Sequence, residues 1–238
     1  MRFNAQTATP TSVAQHLELW TPDVLSPAEV DRWIDLAKRY QLRTYLVFEQ
    51  WLPQVAAGLA GTGILVGSGI NFPMGADCPA AKAKAVEDVL AKGATTIDFS
   101  MNWRALMSDH VDQVREELRL FSSLAAEVER KTIIEVCFLT DDKIRQACDL
   151  VVEADIHWVK TSTGQFQGPN MEQVAIVLDQ LRGSGTGCKV SGVKFPRAQN
   201  AYAFLLAGVE IIGSQGVVEI IEGLEKLRAL GVLPAYQG

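Results

Sequence analysis

The chain has 238 residues, 48% of them hydrophobic and 21% charged, with a formal charge of −6. That length suits one large α/β core better than two small ones, and an acidic balance with no basic run to neutralise successive phosphates argues against nucleic acid and anionic membrane as partners. Cys78, Cys137, Cys148 and Cys188 lie far apart without CxxC spacing, the N-terminus lacks the charged-then-apolar order of a secretion signal, and no apolar run approaches the roughly 18 residues of a membrane span, so a reduced, cytoplasmic protein with buried thiols is expected.

Residues 1–15 read as an N-terminal tail, loosest over the Thr-, Ala- and Pro-rich stretch 1–12, and residues 16–238 as a single domain. Within it, short β-branched or aliphatic runs alternate with longer helical patterns. Strands are expected at 16–20 (weak), 44–49, 63–70, 95–101, 131–138, 156–161, 188–193 and 209–214. Between them, apolar residues recur at three and four spacing over 26–41, 79–93, 108–130, 140–154, 170–185 and 196–208, with a shorter pattern at 51–61. Ser26, Pro27 and Glu29 form a helix start, as does Thr140 before two aspartates, and Gly93, Gly183 and Gly208 fall where helices should stop. Eight β-α units in one domain favour a parallel (β/α)8 TIM barrel over an open doubly wound sheet.

In a barrel the chemistry gathers at the C-terminal ends of the strands. The polar residues ending the apolar runs are Glu49, Asp98 with Asn102, Glu135, Lys160, Lys189 and the loop 213–216. Lys160 closes "IHWVK", a stretch that should be dry, and burying an ammonium without a partner either shifts its pKa or does not happen. A second cation nearby and partial desolvation would leave some of that amine neutral near pH 7, the form that attacks carbonyls. Lys189, on the next strand, is placed to be that cation.

"NFPMG", "TIDFSMNWRALMSD", "KTIIE", "WVKTSTG" and "KVSG", taken in chain order over about residues 17–230, resemble the 2-deoxyribose-5-phosphate aldolases of the DeoC type, which are class I Schiff-base aldolases. The resemblance implies Lys160 as the Schiff-base lysine and Lys189 as the lysine that lowers its pKa. It implies Asp98 as the residue that moves protons through a water, and Lys131 as the partner of that aspartate. Thr163, Gly164, Gly192, Gly213, Ser214, Gly216 and Asn102 form the implied substrate-binding set. The implied reaction is reversible addition of an acetaldehyde enamine to glyceraldehyde 3-phosphate or another aldehyde, so the partners are small aldehydes or sugar phosphates. No metal or other cofactor is implied, because the iminium is the electron sink. A homodimer or higher homo-oligomer is left open.

Three stretches depart from the family pattern. "LELWTP" stands where an Asp-His-Thr run is usual, "KVSGVKFPR" disturbs a glycine pair and shifts the arginine, and "GSQG" keeps Gly213 and Ser214 but loses two serine hydroxyls to Gln215 and Gly216. Both phosphate-binding loops are thus expected to be altered, with Lys194 and Arg197 as solvated loop charges. The histidines, His16, His110 and His157, show no metal-ligand spacing, and Tyr236 is expected on a disordered end rather than at the barrel mouth as a proton donor. Two other readings stay open: another lysine-dependent lyase or transferase acting on a non-phosphorylated carbonyl, and a non-catalytic metabolite-binding barrel.

Overall fold

The computed structural model describes residues 2–24 and 26–238. Eight strands form its centre: β1 (Leu17–Trp20), β2 (Thr44–Leu46), β3 (Leu65–Ile70), β4 (Thr96–Ser100), β5 (Glu129–Ile133), β6 (Trp158–Lys160), β7 (Gly187–Ser191) and β8 (Ile211–Ser214). Each pairs in parallel with the next, and β8 pairs in parallel with β1, so the sheet is a closed barrel. The expected eight strands and the (β/α)8 TIM barrel are therefore both present.

Helices cover the outside. They are α1 (Pro10–Ala14), α2 (Pro27–Tyr40), α3 (Leu52–Leu59), α4 (Pro79–Ala91), α5 (Trp103–Met107), α6 (Val111–Leu124), α7 (Asp141–Glu153), α8 (Met171–Gln180), α9 (Arg197–Ala207) and α10 (Val217–Ala229). The cap chemistry read from the sequence holds: Ser26 Oγ accepts from Glu29 N–H, Thr140 Oγ1 accepts from Lys143 N–H, and Gly208 ends α9 in the left-handed region.

Alternation along the strands separates two environments. On β4, Ile97 and Phe99 face the helices, with Phe99 stacked on Phe121 of α6 at 4.4 Å, while Asp98 bonds lysines of other strands across the interior. The interior is crowded enough to require glycine: a Cβ at Gly187 would lie 2.2 Å from the Trp158 ring, and one at Gly213 would lie 2.3 Å from Ser191 Oγ.

Several boundaries differ from expectation for local reasons. The strand expected over 131–138 begins at 129 and stops at 133, because Glu135 adopts a left-handed conformation (φ 51°) and a 3-10 turn, Val136–Phe138, follows. Cys137 accordingly sits half-buried in that turn rather than in a strand, and Cys78 is exposed; only Cys148 and Cys188 are buried thiols. Strand 44–49 ends at 46, leaving Glu49 exposed at the start of a 3-10 turn away from the interior. The pattern at 108–130 belongs to α6 and the start of β5, with Asp109 left-handed just before the helix. Residues 2–12 are not loose: Thr9 caps α1, Ala5 and Ala8 are buried, and their carbonyls accept from Arg228 of α10.

Candidate active site

Register places the key side chains before any packing argument is needed. Lys160 pairs with Lys189 across β6 and β7, and Asp98 pairs with Lys131 across β4 and β5. Paired residues of parallel strands point to the same side, here inward. Lys160 Nζ and Lys189 Nζ both donate to one oxygen of Asp98, Oδ2, each at 2.7 Å. The other oxygen, Oδ1, faces Lys131 Nζ at 3.5 Å and has no hydrogen-bond partner.

Lys131 is bound more closely elsewhere, to Glu129 Oε1 at 2.8 Å and Glu18 Oε1 at 3.3 Å, and it donates to Thr96 Oγ1. Glu18 also takes a hydrogen bond from Lys189 and one from Arg43 at 2.7 Å, and Arg43 continues to Glu129. Trp158 Nε1 closes this end by donating to Glu129 at 3.0 Å. The barrel interior is thus filled by an ionic column running from Lys160 at the strand C-terminal ends to Arg43 and Glu129 at the N-terminal ends.

The electrostatics follow from burial and from these partners. Burial pulls the Lys160 ammonium down to about 8; Lys189 pushes in the same direction, and Asp98 opposes both. Burial alone would raise Asp98 and Glu18, but the lysines around them hold both carboxyls below the usual carboxylate range. Glu129 is held low in the same way by Lys131 and Arg43. Burial raises Glu135, whose carboxylate accepts from Thr163 N–H and so anchors the loop after β6.

A cavity of about 250 Å³ opens onto Lys160 and Lys189. Its lining contains Thr163, Gly164, Gly192, Gly213 and Ser214 of the expected substrate-binding set, together with Trp20, Leu46, Asp23, Gln215 and Arg197. The loops after β6 and β7 approach so closely that a Cβ at Gly168 would lie 2.1 Å from Gly192 O. Gly216 lies at the N-cap of α10 and donates its N–H to Ser214 Oγ at 3.0 Å, rather than lining the cavity. Asn102 is not brought to the cavity either; its Oδ1 caps α5 by accepting from Ala105 N–H at 3.1 Å.

Arg197 corrects the expectation of a solvated charge, since it lines the cavity, pairs with Glu219 at 3.4 Å and lies over the Phe195 ring, whereas Lys194 is exposed. Tyr236 packs by Arg228 at the far end of α10, and the adjacent Gln237 N–H donates to Gln6 O. A wider cleft of about 710 Å³ at the opposite end of the barrel is lined by Glu129, His157, Trp158 and Gly187 but by none of the expected site residues.

The sequence reading passed over Glu18, Arg43, Glu129 and Trp20. A signal for the first and last was present: in "LELW", period-two alternation puts Glu18 and Trp20 on the same face of one strand.

Comparison with known proteins bears on the family and the fold. The family model described as "DeoC/LacD family aldolase" matches residues 62–201. The deoxyribose-phosphate aldolase of Bacillus subtilis is 33% identical over 197 residues, covering 82% of this chain and 88% of the relative, and that of Streptococcus gordonii is 34% identical over 196 residues, with 82% and 88% covered. Among solved structures, a Coccidioides immitis protein assigned as a deoxyribose-phosphate aldolase superposes with a TM-score of 0.86 at 26% identity, over 94% of this chain and 89% of that one. The tetrameric deoxyribose phosphate aldolase of Aeropyrum pernix, at 23% identity and TM-score 0.83 over 93% and 94%, shares the fold. With the family model spanning more than half of the sequence and curated relatives aligned over four fifths of it, the chain belongs to the DeoC/LacD family of aldolases and is an aldehyde-lyase.

Proposed function

We propose that this class I aldolase works through a Schiff base on Lys160 and makes or cleaves 2-deoxyribose 5-phosphate or a related 2-deoxy sugar, with acetaldehyde as donor. The observation that carries the reading is the pair of ammonium groups, Lys160 and Lys189, sharing one Asp98 oxygen at 2.7 Å beside the cavity. Such a buried arrangement costs stability, and a catalytic role accounts for that cost.

In the synthetic direction the neutral Lys160 amine attacks the acetaldehyde carbonyl to give a carbinolamine, and water leaves to give the iminium. Loss of a proton from the adjacent methyl carbon gives the enamine, whose carbon attacks the acceptor aldehyde; hydrolysis then returns Lys160. Asp98 is the acid and base for these proton transfers: its Oδ1 carries no hydrogen bond and its Oδ2 already touches the nucleophile. Lys189 places its Nζ beside the amine, and together with Lys131 it stabilises the Asp98 carboxylate. Thr163, Gly164, Gly192, Gly213 and Ser214 border the space for the acceptor.

A homo-oligomer belongs to this reading, by analogy with the tetrameric Aeropyrum pernix neighbour. So does a reducing, cytoplasmic setting, since the four cysteines are free and Cys78 is exposed. No helix among the described residues is long and apolar enough to cross a membrane.

Borohydride reduction in the presence of acetaldehyde tests the assignment. A two-carbon adduct mapped to Lys160 is the expected result, and an adduct found only on other residues overturns it.

A further inference from the structure

Seven ionisable side chains form one continuous buried array: Lys160, Asp98, Lys189, Glu18, Lys131, Arg43 and Glu129. None has a side chain more than 18% exposed. Four are basic and three acidic, so the fully ionised array carries one excess positive charge. An uncompensated charge in a low-dielectric interior is the expensive part of such a cluster, and losing one proton removes it.

The contacts say where that proton leaves. Arg43 does not titrate. Lys131 has three carboxylates around it, Glu129 at 2.8 Å, Glu18 at 3.3 Å and Asp98 at 3.5 Å. Lys189 contacts two, Asp98 and Glu18. Lys160 contacts one, Asp98, and shares its oxygen with Lys189. The remaining neighbours of Lys160 compensate it weakly: the Phe72 ring lies 5.8 Å away, at the outer reach of a cation–π contact, and the Glu135 carboxylate is engaged by Thr163 N–H. Lys160 is thus the least compensated cation, and it faces the cavity.

We propose that Arg43 and Glu129, at the end of the barrel remote from the cavity, are positioning residues that set the protonation of Lys160 through this array, Arg43 favouring the neutral amine and Glu129 the charged one. The inference rests on Lys160 being the Schiff-base residue. Neither Arg43 nor Glu129 lines the cavity, so their link to Lys160 is the buried array itself.

The test is the pH dependence of reductive ethylation at Lys160 by acetaldehyde and cyanoborohydride, followed by peptide mass in the full chain. Arg43→Met should move the midpoint to higher pH and Glu129→Gln to lower pH. Each shift should be about 0.8 to 1.2 units, the effect of one charge taken to act over about 10 to 15 Å at an effective dielectric constant of about 20. Arg43→Lys and the double variant Arg43→Met/Glu129→Gln, which conserve the charge count, should stay near the wild-type midpoint. A purely structural role would move the single variants alike or not at all, and either result overturns the inference. If Arg43→Met does not fold, Glu129→Gln and the double variant still decide: the first must move to lower pH and the second must return. An adduct at Lys160 with unmoved midpoints refutes only this inference; no adduct at wild-type Lys160 refutes the Schiff-base reading as well.

Discussion

A solvated lysine amine, with a pKa near 10.4, is neutral in only about 0.04% of molecules at pH 7. Pulled down to about 8 inside the barrel, the Lys160 amine is neutral in roughly one molecule in ten. Two contributions to that shift can be removed separately. Lys189→Leu takes away the neighbouring charge and should move the trapping midpoint of Lys160 to higher pH; an unchanged midpoint would mean that the lysines do not interact. Asp98→Asn should move it the other way, because Asp98 is what favours the ammonium, and should also lower turnover by a factor of about 10² to 10⁴ as the acid-base group is lost. Native circular dichroism with both effects supports catalysis, whereas loss of the fold would make Asp98 chiefly a structural bridge among three lysines. Lys160, Lys189, Asp98 and Lys131 were legible because each sits in a recognisable stretch at or near a strand. Glu18 was legible only as sharing a strand face with Trp20: its partner Lys189 is 171 residues away, and one glutamate between two leucines otherwise reads as the exposed side of a weak strand. Nothing local distinguishes a carboxylate facing water from one facing a buried ammonium.

At the scale of elements, the altered loops after β7 and β8 decide what the acceptor end can hold. An anion at the start of α10 would use backbone N–H groups and the helix dipole. Here the Gly216 N–H is already given to Ser214 Oγ, and Gln215 reaches across to Asp23, setting a carboxylate in the same cavity. Each missing hydrogen bond to a charged group removes about 1.5 to 3 kcal/mol, or about one to two powers of ten in binding. The preference for 2-deoxyribose 5-phosphate over 2-deoxyribose in kcat/KM should therefore stay below about 10⁴, which corresponds to roughly 5 kcal/mol of differential transition-state binding. Asp23→Asn should increase that preference by relieving the repulsion. A wild-type ratio above this value would mean that Arg197 leaves Glu219 and takes the phosphate. The sequence exposed the loss of the serines directly but not the Gln215–Asp23 pair, because it joins loops 192 residues apart. It also missed the end of β5, since a left-handed Glu135 has no signature in an apolar run.

For the whole molecule, the order of eight βα units was readable from alternation alone, and closure followed once β8 met β1. The ionic filling of the barrel was not readable, because hydrophobic periodicity registers the helix-facing side of each strand and says little about what meets inside. That filling couples stability to pH in a specific way. The folded-state pKa of Lys160, about 8, lies below its unfolded value near 10.4, so between these values the unfolded chain holds a proton that the folded chain has released. Stability from this group therefore rises with pH across that window, and below about pH 8 the folded state carries the cost of a buried ammonium. A depression of some 2.5 units corresponds to about 3 kcal/mol. Lys160→Met removes the titration while leaving the tyrosines, cysteines and other lysines in place, so the difference between wild type and variant isolates it. Urea unfolding at pH 7 and at pH 10.5 should show wild type gaining about 2 to 3 kcal/mol on the variant over that interval. Parallel stability curves for the two proteins would mean that Lys160 titrates as an ordinary solvated lysine, and that the column beneath it does not tune its protonation.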